Sequence, residues 1–154
     1  MRGILRRSFG RRAAPGGMMK ISVMAATDIG RVRDHNEDDY VALGGKESPP
    51  GVDALLVVAD GMGGHAAGEV ASKMTVDGIV QSLNDQREEA SKLEGNAFGA
   101  FLGKVLGEVN QEVWQAAQED DKRGMGTTCT LVAIRGDQLF LAHIGDSRAY
   151  LLRE

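Results

Sequence analysis

The stretch Leu55–Ser72, LLVVADGMGGHAAGEVAS, constrains the fold of this chain more than any other. Its apolar run Leu55–Val58 continues into Ala59 and reads as a buried strand. That strand ends on Asp60–Gly61, so a carboxylate is held by the scaffold rather than by a loose loop, which is where a metal ligand belongs. Gly61, Gly63 and Gly64 then allow the backbone to turn sharply and approach whatever Asp60 holds, before a helix starts near Ala66.

The flanking sequence supplies partners for that strand. Residues 20–27, KISVMAAT, alternate as a first strand; residues 38–43 form a second and residues 53–60 a third, with GGKESPPG as the turn between them. Helical spacing of Val70, Ala71, Met74, Ile79, Val80 and Leu83 predicts a helix over 67–84. After the charged break NDQREEASKLEG, one apolar stripe runs through Phe98, Phe101, Leu102, Val105, Leu106, Val109, Val113, Trp114 and Ala117. It predicts a second helix from about 96 to 118, with Trp114 as a packing residue. TTCTLVAI, LFLAHIG and SRAYLLRE then read as three strands, the first two joined as a hairpin through RGDQ, which makes the RGD tripeptide a turn and not an adhesion signal. Consecutive long helices among meandering strands predict an α+β fold, a helix layer on an antiparallel sheet, rather than alternating βαβ units.

Composition narrows the function. At 154 residues, 42% hydrophobic and 26% charged, the chain suits one domain with a real core. Its net charge of −4 is unevenly spread. Residues 1–20 hold Arg2, Arg6, Arg7, Arg11, Arg12 and Lys20 and no acid, a charge of +6, which leaves −10 on the remainder. An acidic body argues against nucleic-acid binding and suits cation binding. Residues 1–19 lack periodicity and are expected to be a basic, disordered arm. A twin-arginine signal, an organellar transit peptide, a nucleic-acid or membrane-surface arm, and a start at Met18 or Met19 are alternatives there. The single Cys129 allows no internal disulfide and no multi-cysteine zinc site, and reads as a buried thiol. No apolar run approaches the ~20 residues of a membrane span, so the expected setting is cytoplasmic.

The chemistry gathers around Arg31–Tyr40, RVRDHNEDDY. Strand alternation turns Glu37 and Asp39 one way and Asp38 the other. Adjacent carboxylates are costly to bury without a counter-cation, so they are either solvated or hold a metal. Beside Asp60, a hard divalent cation such as Mg²⁺ or Mn²⁺ fits this oxygen-rich, histidine-poor set. A carboxylate shared by two such ions would activate a water and polarise a phosphoryl oxygen, and Arg33 would offer a guanidinium fork to phosphate oxygens. Arg33, Glu37 and Asp60 together point to a phosphate-ester hydrolase.

RVRDHNEDDY, LLVVADGMGGHAAGEVAS, GMGTTCTLVAI and LFLAHIGDSRAYLLRE also occur here in an order that resembles the metal-dependent serine/threonine protein phosphatases, the PPM or type 2C family, in their bacterial style. The resemblance covers roughly residues 20–154. It implies an α-β-β-α sandwich of two antiparallel sheets with helices outside, and a binuclear Mn²⁺ or Mg²⁺ centre between the sheets. It further implies Arg33 as the phosphate-binding arginine, Glu37 as a ligand of one metal, and Asp60 as the carboxylate bridging both. The main-chain carbonyl of Gly61 resembles a further ligand, Asp38 an acid orienting metal-bound waters, and Asp146 of GDSR a ligand of a weaker third ion. For Asp146 a turn-capping role after Gly145 is equally open. Ser147 and Arg148 are read as structural.

Two departures from that pattern stand out. Met62 occupies the position after the DG pair where some members carry a histidine proposed as general acid, and His65, three residues on, is not assigned that role. The chain also stops just after GDSR, before the aspartates that the family's C-terminal half contributes, so it is expected to be the N-terminal portion of such a domain. The implied substrates are phosphoserine and phosphothreonine proteins, with a Ser/Thr kinase and its substrates as partners. The rival from another class is a non-catalytic, phosphatase-like binding module. A dinucleotide reading of GMGGHA fails, because Asp60 would face a pyrophosphate with the wrong sign and no acid-ended strand follows about 20 residues on.

Overall fold

A computed structural model describes residues 8–9, 20–63 and 67–152. The expected disordered arm lies outside the described residues, except for β1 (Ser8–Phe9), which pairs antiparallel with β2 (Ile21–Ser22). The fold is α+β. Strands β3 (Asp38–Gly44), β4 (Ala54–Met62), β6 (Cys129–Arg135) and β7 (Gln138–Ile144) form an antiparallel sheet in the order β3-β4-β6-β7. The two-residue strand β5 (Gly126–Thr127) extends that sheet along the end of β4. Helices α1 (Ala67–Asp85) and α3 (Gly95–Ala116) cover one face, joined by the short α2 (Arg87–Lys92), which falls in what the sequence presents as a charged break.

The pleat divides the sheet into two environments. Leu55, Val57, Ala59, Cys129, Leu131 and Ala133 point into the helices, where they meet Val76, Ile79 and Leu83 of α1 and Phe98, Leu102 and Val105 of α3. Phe98 is fully buried, packs edge-on against Phe140 at 5.0 Å, and carries the Arg135 guanidinium 4.7 Å above its ring. On the alternate positions Tyr40, Leu139 and Leu141 are exposed, and the extended segment after β2 brings Ala25, Ala26 and Thr27 beside Tyr40 and Val58. The described residues thus supply one helix layer and one main sheet of the expected α-β-β-α arrangement.

Four local expectations change. The strand expected over 20–27 shrinks to Ile21–Ser22, because its alternation supplies a strand pattern but, among the described residues, only β1 supplies a ladder partner. SRAYLLRE forms no strand among the described residues 147–152. Gly145, at φ 104°, redirects the chain away from the edge of β7, and Tyr150 and Leu152 are left exposed. Trp114 is 56% exposed rather than part of the core, since the buried line of α3 passes from Val109 to Val113. On α1, Ser72, Thr75 and Val76 join the buried line while Val70, Met74 and Val80 flank it, and the Ser72 hydroxyl donates to the Glu69 carbonyl.

Candidate active site

The candidate residues collect where β3 and β4 begin and end side by side. Register pairs Asp38 with Asp60 directly across the two strands, so both carboxylates project from one face. The β4 ladder runs two residues beyond Asp60, to Met62, so the carboxylate stands on a strand and not at its frayed end. Burial, and then the neighbouring Asp60 carboxylate, raise the Asp38 carboxyl above its ordinary value. The Thr27 hydroxyl donates to Asp38 at 3.5 Å, the Asn36 amide donates to Thr27 at 2.9 Å, and the Asn36 carbonyl accepts from the Asp38 N–H at 3.2 Å.

Glu37 sits one residue earlier, on the other side of the strand. Its carboxylate is 11% exposed and accepts from Arg33 Nη1 at 2.7 Å, while Arg33 itself is 60% exposed. The Glu37 carbonyl accepts from the Gly61 N–H at 3.1 Å, which ties the backbones of two sequence-predicted site residues together. Arg33, Glu37, Asp38, Asp60 and Gly61 are therefore brought into one neighbourhood.

Asp146 is connected to that neighbourhood through Thr128, a residue that motif reasoning placed only within a strand. Opposite Asp60 the ladder is rewired. The Thr128 N–H donates to the Asp60 carbonyl at 2.9 Å, but the Asp60 N–H donates to the Thr128 hydroxyl at 3.2 Å instead of to its carbonyl. The displaced Thr128 carbonyl accepts from the Thr127 hydroxyl at 2.9 Å. The Thr128 and Ser147 hydroxyls share a 2.7 Å hydrogen bond, which fastens the GDSR segment to β4 beside Asp60. Gly145 makes the approach possible, since a Cβ there would lie 2.7 Å from the Thr128 methyl. Asp146 is exposed next to this link. Thr27, Asn36 and Thr128 were missed because lone hydroxyls and amides carry no spacing signal. His65 lies outside the described residues.

Among the described residues no three His, Cys, Asp or Glu side chains close on one point. What is present is two cross-strand carboxylates with a raised Asp38, a shielded Glu37 and the Gly61 peptide bonded to the Glu37 carbonyl. Oxygen-only donors and an imbalance of negative charge suit a hard divalent cation, so the residues fit part of a metal site.

Comparison with known proteins decides the family. A family model described as protein phosphatase 2C matches residues 31–154. The chain belongs to the protein phosphatase 2C family. It is 42% identical over 129 residues to the serine/threonine phosphatase stp of Listeria monocytogenes, covering 82% of this chain and 48% of that protein. It is 40% identical over 131 residues to the serine/threonine protein phosphatase PstP of Mycobacterium tuberculosis, covering 84% of this chain and 22% of that one. The crystal structure of Stp1 from Staphylococcus aureus superposes with a TM-score of 0.71 at 33% identity, over 94% of this chain and 53% of the other. The chain thus spans about half the length of the Listeria relative and of that solved structure. The antiparallel sheet, the flanking helices and their order agree with the family fold.

Proposed function

We propose that this protein acts as a Mn²⁺- or Mg²⁺-dependent hydrolase of phosphoserine and phosphothreonine in other proteins. The observation that carries the reading is the cross-strand pair Asp38 and Asp60, two carboxylates in register on one face with the first shifted toward its neutral form. Such a pair costs stability in a metal-free fold and invites a cation. The named activity of the Listeria, Mycobacterium and Staphylococcus relatives supports the phosphoprotein substrate.

In this reading Glu37, Asp60 and the Gly61 carbonyl hold the ions, with Asp146 beside a weaker third. Bound there, the ions supply Lewis acidity and an acidified water. Arg33, exposed beyond its bond to Glu37, turns its remaining donors to the substrate phosphate and fixes the phosphorus opposite the attacking side. Asp38, anchored by Thr27 and Asn36, accepts a hydrogen bond from the attacking water and orients it. Thr128 keeps the Asp60 backbone in place. In this reading hydrolysis proceeds in one step without a phospho-enzyme; Cys129 offers no competing thiolate, because burial pushes its thiol up to about 12. Phosphoproteins, a Ser/Thr kinase that produces them and a cytoplasmic setting belong to the same proposal; no helix among the described residues is long and apolar enough to cross a membrane.

A second reading, a phosphatase-like module that binds phosphoproteins without turnover, is favoured by the absence of a three-carboxylate cluster among the described residues. The two separate in an assay of phosphate release from a phosphothreonine peptide. The protein is produced with any residues its gene encodes beyond 154. Release that needs Mn²⁺, stops with EDTA and falls at least a hundredfold in Asp60→Asn supports the enzyme. Peptide binding without release supports the module.

A further inference from the structure

The first turn of α1 meets the candidate site at Gly68, a buried glycine that no motif reading gives a role. A Cβ built on Gly68 would lie 2.9 Å from both Cδ and Oε1 of Glu37 and 3.0 Å from the carbonyl carbon of Gly61. The packing is reciprocal, because a Cβ on Gly61 would collide with the Gly68 carbonyl oxygen and lie 2.5 Å from the Glu37 carbonyl oxygen. Helix, strand and carboxylate therefore meet with no room for a methyl group.

Conformation does not explain a glycine here. Gly68 lies within α1 and has no positive φ, and glycine is the poorest helix former after proline. What the position requires is the missing side chain. We propose that Gly68 is a positioning residue for the candidate metal site: by letting the α1 backbone rest on the Glu37 carboxylate and the Gly61 peptide, it fixes the pose of two ligands at once.

Glu37 has no easy escape from a larger neighbour. Its backbone carbonyl is held by the Gly61 N–H at 3.1 Å and its carboxylate by Arg33 at 2.7 Å. A methyl group on Gly68 forces the carboxylate to rotate, which breaks the Arg33 pair and moves a ligand oxygen. Supporting residues of this kind typically change metal affinity by about 10- to 100-fold.

The inference rests on the metal reading of the site, and one experiment separates the two. Mn²⁺ alone is titrated into this chain and followed by water-proton relaxation, for the wild type, Gly68→Ala, Glu37→Ala and the double variant, with melting temperatures measured on the same samples. Gly68→Ala is expected to weaken Mn²⁺ binding by about tenfold or more, with a small fall in the metal-free melting temperature from the contact with the Gly61 peptide. In the Glu37→Ala background the same change is expected to weaken Mn²⁺ binding much less, because only the contact with the Gly61 peptide then remains. Unchanged Mn²⁺ affinity in Gly68→Ala, or equal weakening with and without Glu37, overturns the role of Gly68 and leaves the metal site standing. A wild type that binds no Mn²⁺ overturns the metal reading and this proposal with it. Should Gly68→Ala fail to fold, Glu37→Asp shortens the carboxylate by one methylene. Recovery of the fold in that pair supports the steric account, and failure to recover it refutes that account.

Discussion

Replacing Thr128 with valine keeps the shape of the side chain and removes one oxygen, and that oxygen has two jobs. It accepts the Asp60 N–H at 3.2 Å and shares a 2.7 Å bond with the Ser147 hydroxyl. The Asp60 N–H has no second acceptor in the ladder, because the Thr128 carbonyl is already turned toward Thr127. The Asp60–Thr128 bond lies at an exposed position, so water offsets part of its loss, as it does for the half-buried Ser147 hydroxyl, and the expected penalty is about 1 kcal/mol. For a chain of this size that corresponds to a fall of roughly 2–4 °C in melting temperature. Urea unfolding at constant slope measures it, with Ser147→Ala and the double variant as controls. Ser147→Ala alone should cost about 0.5–1 kcal/mol, and the two losses should overlap by about the same amount because they share one bond. A Thr128→Val protein within about 0.3 kcal/mol of wild type would refute the claim that this hydroxyl replaces a carbonyl in the ladder.

Other consequences are as open to measurement. Phe98→Ala empties a fully buried ring site and loses the contacts to Phe140 and Arg135, so unfolding should show a loss of about 4 kcal/mol; a loss under about 1 kcal/mol would mean the site is not packed as described. Burial lifts the Cys129 thiol from 9.0 to about 12, so native protein should resist iodoacetamide at pH 8 and react within minutes once unfolded in urea. Because the folded value is the higher one, this thiol favours the fold below pH 9 and loses that contribution between pH 9 and about 12, a change on the order of 4 kcal/mol that Cys129→Ala should not show. Gly61→Ala should prove far more damaging than a surface glycine change, since its Cβ meets backbone atoms of both Gly68 and Glu37.

Much of this was legible in the sequence where one residue pattern had one physical solution. The run LLVVA reads as a buried strand from its shortness and its paired valines, and the α3 stripe from Phe98 to Val113 faces a core because it holds to one helical period. The candidate site was legible as residue types: carboxylates at Asp38 and Asp60 reached strand ends that the register pairs, with Glu37 one residue before β3. Partner-dependent features were not legible. KISVMAAT and SRAYLLRE carry strand periodicity, but a strand needs a neighbour, and the described fold gives the first only Ser8–Phe9 and turns the second away at Gly145. Trp114 fits a helical stripe by spacing, yet at the end of α3 the stripe leaves the sheet and the indole faces outward. Thr128 and Gly68 act through contacts 68 and 31 positions distant from them in the chain, to Asp60 and Glu37, and no local pattern announces such contacts.

The proposed site makes Asp60 and Asp38 a cation-binding pair with unequal roles. Calorimetric titration of Mn²⁺ into wild type, Asp60→Asn and Asp38→Asn tests it in one series. Asp60→Asn is expected to lose at least tenfold in affinity, and Asp38→Asn to lose clearly less, because the first removes a ligand and the second a water-orienting acid. Equal affinity in wild type and Asp60→Asn would contradict the central claim.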